Sequence, residues 1–504
     1  MFRLLKHMAK QLVKNKNNSQ SSETKEKLVP FPAVRKNLTW FKQVLNDSDD
    51  LIIREFSNAD LAGIEGALLY LEGMVNNDIV NNVLLPALLR DDILIHSLGE
   101  TEPAIRKDQI DKEIVPVGGS KLVDDLHAAL LSLMSGDTLV LLEGICQIYV
   151  FETKGWKERE TAEPQSERIV RGPQIAFVEK LTINMALIRR RSRNPEITFR
   201  KMNIGNESKT DIAVVYHRKK VRQQVLNELL HRINSLNINN LQDSGMLEDY
   251  IKDNPLSFFP QLQYTERPDK VVASVIEGRV GIIVDGSPMV LLAPAPLAVF
   301  FQSAEDYYEN WQFGTIIRWT RFLAAFISTS LPALYIAIIS YHPELLPMRL
   351  AFSIGATRLT VPFPAFVEAL LMESILELLQ EASIRLPQPV GQTIGIVGGL
   401  VIGQAAVQAG IISPIMVIII SITAISSFVL PAYNFNLATR LIRVPFILSA
   451  VFLGFYGLVL AWLTTLAHLC QLKTMGASYM EGITPFSKKS LDTLIRTPKR
   501  LTGK

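Results

Sequence analysis

Val390–Ala409 reads VGQTIGIVGGLVIGQAAVQA, and Pro414–Tyr433 reads PIMVIIISITAISSFVLPAY. Both lie inside Leu386–Thr439, a run of 54 residues without Asp, Glu, Lys, Arg or His. A membrane helix needs ~20 apolar residues to cross a hydrocarbon core of ~30 Å. Each stretch meets that length, with Gly410, Ser413 and Pro414 marking the break between them. Gly391, Gly395, Gly399 and Gly403 recur every fourth residue and share one helical face. Small residues at that spacing let two backbones approach closely in lipid. A buried soluble hairpin is the alternative, and the length of the uncharged run outweighs it.

Working outward, charge separates the chain into two halves. Residues to Val290 contain 38 basic and 39 acidic side chains, whereas Leu291 onward has 14 and 10. The net charge of +3 hides this asymmetry. A soluble region followed by a membrane region is the reading. Cys146 and Cys470 lie far apart and suggest neither a disulfide framework nor a metal site.

The soluble half carries a repeated grammar. Leu122–Met134 has helical spacing, Gly136 closes it, Thr138–Leu142 reads as a strand, and Glu143-Gly144 turns the chain into Ile145–Phe151. Later, Val271–Ile276 is helical, Gly278 ends it, Val280–Val284 is strand-like, and Asp285-Gly286 leads into Met289–Leu292. The Gly136–Gly144 and Gly278–Gly286 spacings are equal, which points to duplication. The expected architecture is an α/β N-terminal cytoplasmic region of two related subdomains followed by an α-helical transmembrane domain. Its parts are a basic disordered tail (1–36), a first subdomain (37–153), a charged linker (154–171), a second subdomain (172–299), the membrane domain (300–472) and a basic cytoplasmic tail (473–504).

Two basic clusters, Arg189–Arg191 with Arg193, and Arg218–Lys220 with Arg222, suit either phosphate contact or salt bridging. No zinc-finger or RNA-binding signature accompanies them, so nucleic acid is not an expected partner. The sequence has no GxxxxGK[ST] loop, HExxH pair or GxSxG elbow, so no enzyme, cofactor or metal is expected.

Phe322–Tyr341 qualifies as a first span, with Arg318 and Arg321 before it placing the N-terminal region in the cytoplasm. Pro445–His468 is the last span, and the tail lysines and arginines after it favour the same side. Four spans satisfy both ends. The segment Pro362–Arg385 opens a five-span alternative, which Arg440 and Arg443 between the last two spans fit better. On a helix Glu373, Glu377 and Glu381 fall within about 80° of one another. Glutamates four apart repel when ionised, and Arg385 relieves only Glu381. Acidic groups at membrane depth face a water-filled path or a partner. Repeated around an oligomer axis they would form cation-attracting rings, with Ile375 or Leu378 supplying an apolar constriction. An interfacial helix with its acidic face to water is the other reading.

The chain resembles the A-subunit family of bacterial spore germinant receptors, the GerA type, from about Glu72 to Pro485. The soluble half carries it in Arg171-Gly172-Pro173, Asn184 through Leu187–Arg191, Phe259-Pro260-Gln261, Thr265–Asp269, and Glu277-Gly278-Arg279 through Asp285–Pro288. Glu305–Tyr308, Leu331–Tyr335, Pro362-Phe363-Pro364, Glu368–Leu371, Glu381-Ala382 and Arg385-Leu386-Pro387 follow. Ile394–Gly410 is the most specific match, joined by Ser413-Pro414, Phe428–Pro431 and Arg440–Arg443. The chain departs from the family pattern at Gln174–Glu179 and at Gly476-Ala477-Ser478-Tyr479. The resemblance implies a role in germination from the spore inner membrane, as a multi-pass subunit working with a transporter-like B subunit and a lipoprotein C subunit. It further implies a homo-oligomer forming a ligand-gated cation channel among membrane lipids. A non-conducting scaffold, or the paralogous sporulation-stage membrane protein of the same family, are the alternatives.

Overall fold

The computed structural model describes residues 27–57, 65–88, 119–155, 163–385, 399, 401–484 and 491–496. The chain forms two compact units, one comprising residues through Asp253 together with Leu262–Pro294, the other Asn254–Gln261 and Ala295 onward.

In the first unit, helix α1 (Val34–Val44), β1 (Leu51–Ser57), β2 (Glu65–Leu71), β3 (Ser120–Val123), α2 (Leu126–Leu133), β4 (Thr138–Leu142) and β5 (Ile148–Phe151) make one subdomain. Helix α3 (Leu181–Arg191), β6 (Ile197–Ile204), β7 (Thr210–His217), α4 (Gln223–Ser235), α5 (Ser244–Ile251), β8 (Gln263–Thr265), α6 (Pro268–Ile276), β9 (Val280–Val284) and β10 (Val290–Ala293) make the second. The sheets are antiparallel throughout, in the orders β1-β2-β4-β5-β3 and β6-β7-β9-β10-β8. The topology is the same twice.

The duplication extends to individual hydrogen bonds. Asn37 accepts from Phe31 N and donates to Phe31 O, and Asn184 does the same with Val178 N and O. The Glu143 carboxylate caps α1 by accepting from Val34 N at 2.8 Å, and Asp285 caps α3 through Leu181 N at 2.8 Å. The following glycines close each turn, Gly144 N onto Pro32 O and Gly286 N onto Glu179 O. Both have φ of 83°, where a side chain is strained. An acid before a glycine is thus a cap for a distant helix start as well as a turn.

Alternation sets the layers. Leu69, Leu71, Leu139, Leu141, Ile148 and Val150 face α1 and α2, while Leu68, Tyr70, Val140, Leu142, Tyr149 and Phe151 meet Val80, Leu84 and Leu88 on the other side. Burial on both faces explains why Thr138–Leu142 reads as a continuous apolar run. One expectation needs correction. Leu122 and Val123 belong to β3, and the helix starts only after Asp125, whose side chain accepts from His127 N and Ala128 N.

The two subdomains are clasped by Arg189, the first residue of the predicted basic cluster. It donates to Asp50 Oδ2 at 2.7 Å and Oδ1 at 2.9 Å, and to Ser48 Oγ at 3.1 Å. Ser48 in turn accepts from Phe199 N on the outer edge of β6, and the guanidinium lies 4.9 Å from the Phe199 ring. Both charged side chains are 1% exposed. Arg191 and Arg193 are exposed, and Lys219 pairs with Glu196 at 2.5 Å.

The second unit is helical: α7 (Trp311–Tyr341), α8 (Met348–Arg358), α9 (Ala365–Arg385), residues 401–408, α10 (Pro414–Phe428) and α11 (Tyr433–Gln471). Helices α7 and α11 are long and apolar enough to cross a membrane. The expected first span, Phe322–Tyr341, sits inside a longer helix, whereas the expected last span, Pro445–His468, is broken at Gly454. Helix α7 begins at Trp311, so Arg318 and Arg321 are within it, buried against Asp306. Helix α11 begins at Tyr433, so Arg440 and Arg443 are helical residues and not a connection. The apolar stretch Pro414–Tyr433 is broken, its helix ending at Phe428. Helix α11 is interrupted at Gly454, where φ is 60° and ψ is −137°. A short hairpin, β11 (Lys473–Thr474) and β12 (Ala477–Ser478), turns at Gly476 and delivers Tyr479 fully buried beside Phe259 and Phe300.

Truncating either member of the Arg189–Asp50 pair leaves a buried charge, so Arg189→Ala or Asp50→Ala is expected to cost about 3–5 kcal/mol. The Arg189→Met/Asp50→Leu double variant is expected to cost far less than the sum, measured by denaturant unfolding. At the repeat glycines, a Cβ on Gly278 would lie 2.4 Å from Lys220 O, whereas one on Gly144 meets nothing within 4 Å. Gly278→Ala is therefore expected to destabilise well beyond the ~1 kcal/mol that the left-handed backbone alone costs at Gly144→Ala.

Candidate functional site

The acidic stripe is helical as expected, because Ala365–Arg385 is continuous and rich in Leu, Glu and Ala. What the sequence did not reveal is that every glutamate on α9 faces an arginine. Glu368 Oε1 lies 3.3 Å from Arg358, and its Oε2 accepts from Ser413 N at 2.7 Å. Glu373 is held by Arg443 Nη1, and Glu377 by Arg440, whose Nε reaches Oε1 at 2.8 Å. Glu381 pairs with Arg385 at 2.6 Å and is exposed.

The two central rungs share a geometry. Glutamates four apart on α9 meet arginines three apart on α11, in reverse order, so the two helices run antiparallel with the rungs about one turn apart. The repulsion along the stripe is thereby offset by cations from another helix. Arg440 and Glu377 are partly open, whereas Arg443 and Glu373 are 2% and 8% exposed.

Arg443 also repairs a backbone defect. Pro332 interrupts α7 and has no N–H, so the carbonyl of Ser328, four residues back, loses its helical partner. Arg443 Nε donates to that carbonyl at 2.7 Å. One guanidinium therefore joins α7, α9 and α11. Glu373 Oε2 and Arg443 Nη2 have no hydrogen-bond partner among the described residues.

Of the constriction candidates, Ile375 packs on the helical core and Leu378 is 70% exposed. Gly391 and Gly395 lie outside the described residues. A Cβ on Gly399 would meet no atom within 4 Å, and one on Gly403 would lie 3.8 Å from Val417 of α10. Within the described chain, then, only Gly403 of the glycine stripe makes a helix contact.

The Bacillus/Clostridium GerA spore germination protein family profile matches residues 39–504. The chain belongs to the GerA family. Among GerA-family relatives, Spore germination protein KA of Bacillus subtilis (strain 168) is 40% identical over 93% of this chain and 85% of its own length. Spore germination protein GerLA of Bacillus cereus is 38% identical over 91% and 92%. A crystal structure of the N-terminal domain of the A subunit of the Bacillus megaterium spore germinant receptor GerK3 is 29% identical, covering 54% of this chain and 98% of that one with a TM-score of 0.43.

In this GerA-family chain, Arg443→Gln is expected to cost about 3–5 kcal/mol, because Glu373 and the Ser328 carbonyl both lose their partner. Pro332→Ala returns a peptide N–H to Ser328, so in that background the cost should fall by about 1 kcal/mol. A double-mutant cycle on thermal unfolding in detergent reads the difference.

Proposed function

We propose that this protein is the A subunit of a nutrient receptor that triggers germination, embedded in the spore inner membrane with its α/β unit in the cytoplasm. It works there as a homo-oligomer with a transporter-like B subunit and a lipoprotein C subunit, and the assembly is a gated cation channel. The observation that supports this reading is the α9–α11 ladder. Its carboxylates are neutralised by arginines of another helix, so they become available to cations only when α9 and α11 separate.

On this reading the paired arrangement is the closed state. Nutrient binding at a partner subunit favours separation, and it does so only to the extent that the ligand binds the separated state better. Glu373, Glu377 and Glu381 then attract monovalent cations, and Ile375 or Leu378 forms the apolar constriction. Neutralisation of the stripe inside one chain equally supports a second reading, a non-conducting scaffold in which the ladder holds helices together while a signal passes between partners.

The two readings separate in spores carrying Glu373→Gln/Glu377→Gln/Glu381→Gln with the B and C subunits present. A channel loses most of its nutrient-triggered cation release while still assembling. Unchanged release from an assembled triple variant sinks the pore-lining role and leaves the scaffold.

A further inference from the structure

The loop Asn254–Gln261, NPLSFFPQ, belongs to the helical unit and carries no charged side chain. Its ends are tied to each other: Gln261 Oε1 accepts from Asn254 N at 2.8 Å, and Gln261 Nε2 donates to Asn254 O at 2.6 Å. Within it the side chains alternate. Ser257 turns inward, its Oγ 2.9 Å from His468 Nε2. Phe259 is buried, its ring 6.1 Å from that of His468 and 6.5 Å from that of Tyr479. Leu256 and Phe258 turn outward and are 91% and 60% exposed. A fixed frame thus holds two large apolar side chains out of the protein.

Exposed apolar residues scattered singly are ordinary, and the place of these two is what sets them apart. His468 lies in the last turn of α11, a helix long and apolar enough to cross a membrane. Leu463 and Leu466, just before it, are exposed. From the break at Gly454 to His468 the chain advances 14 residues (468 − 454), about 21 Å of helix against a hydrocarbon core of ~30 Å. Lys473, exposed, is the first Asp, Glu, Lys or Arg after Arg443. Its neighbour Thr474 donates to Gln261 O at 2.6 Å. The loop is therefore fastened to α11 where the apolar rod ends and charge resumes.

We propose that Asn254–Gln261 is a bilayer-anchoring loop, with Leu256 and Phe258 inserted at the boundary between headgroups and acyl chains and Lys473 set toward anionic headgroups. Shallow burial of apolar side chains beside a cation is the physics of interfacial attachment. The occupant is lipid, because the exposed apolar side chains that precede the loop's anchor point along α11 are those of the span itself. This rests on the membrane reading of α11 and is independent of whether the assembly conducts ions.

The test uses the full chain with Cys146→Ser/Cys470→Ser, reconstituted in vesicles of phosphatidylcholine with phosphatidylglycerol. A nitrobenzoxadiazole probe is attached in turn at Phe258→Cys, at Pro255→Cys, at Leu463→Cys on α11 and at Val170→Cys in the α/β unit. The Pro255 site is exposed and leaves both apolar side chains in place. Quenching is read with iodide in the water and with lipids carrying a nitroxide near the headgroup or at the acyl-chain end. Both loop probes are expected to be quenched several-fold more by the headgroup-level nitroxide than by iodide. The Leu463 probe should respond to the deep nitroxide, and the Val170 probe to iodide alone. Adding Leu256→Asp/Phe258→Asp to the Pro255 probe should return it to water and raise iodide quenching several-fold; an unchanged signal overturns the proposal. Loop probes that behave like the Val170 probe while lipid quenches the Leu463 probe overturn the anchor and leave the span standing. Loop probes shielded from both quenchers also overturn it, since protein then covers the loop. A Leu463 probe that lipid does not quench overturns the membrane reading of α11 and the anchor with it.

Discussion

The helical unit depends on one guanidinium. Pro332 deprives the Ser328 carbonyl of its partner inside a long apolar helix, where Ser328 is fully buried, and an unmet buried carbonyl is costly. Arg443 meets it, but a buried arginine needs a counter-charge, and Glu373 supplies one. Each of the three groups makes sense only with the other two. The Glu377–Arg440 rung follows from the same registration of α9 against α11, since aligning one pair at four-residue and three-residue spacing aligns the next.

The α/β unit solves a different problem by a parallel device. Duplication yields two sheets of identical order, each with two edge strands, and an exposed edge is a liability. The turn at Ser48–Asp50 covers the edge of β6, with Phe199 N bonded to Ser48 and Lys201 N to Asp49. Arg189 holds that turn in place. The matching position in the first repeat, at the same distance from its stapling asparagine, is Lys42. The copies have diverged where they meet, as they must for one to cap the other.

The sequence was legible where local pattern decides structure. Thr138–Leu142 and Val280–Val284 emerge as strands from apolar runs bounded by glycines, and both glycine pairs mark real left-handed turns. Leu122–Val123 misled because two apolar residues before a helix cap read like its first turn, while β-pairing with Ile148 and Tyr149 decides their state. The acidic helix was visible, its neutralisation was not. Arg440 and Arg443 stand 63 and 70 residues from their carboxylates, and spacing along the chain carries no information on that pairing. Read as a loop between spans, they pointed to topology when their role is packing.

The interruption at Gly454 bears on how force moves through the bundle. A continuous helix passes rotation along its axis through its hydrogen-bond ladder, and a residue in the left-handed region cuts that ladder. The Tyr341 hydroxyl grips the Val451 carbonyl just before the cut, and the Tyr341 ring lies 3.0 Å from where a Gly454 side chain would begin. The end of α7 thus splints the near side of the joint, and α7 also holds the far side, where Trp462 Nε1 donates to Ser330 Oγ at 2.9 Å and the Trp462 ring meets Phe446 at 5.3 Å. Helix α11 is two rods folded back on each other at Gly454, so that Phe435 near its start and His468 near its end both pack on Phe259. The rivets at Arg440 and Arg443 fix the first rod of the pair.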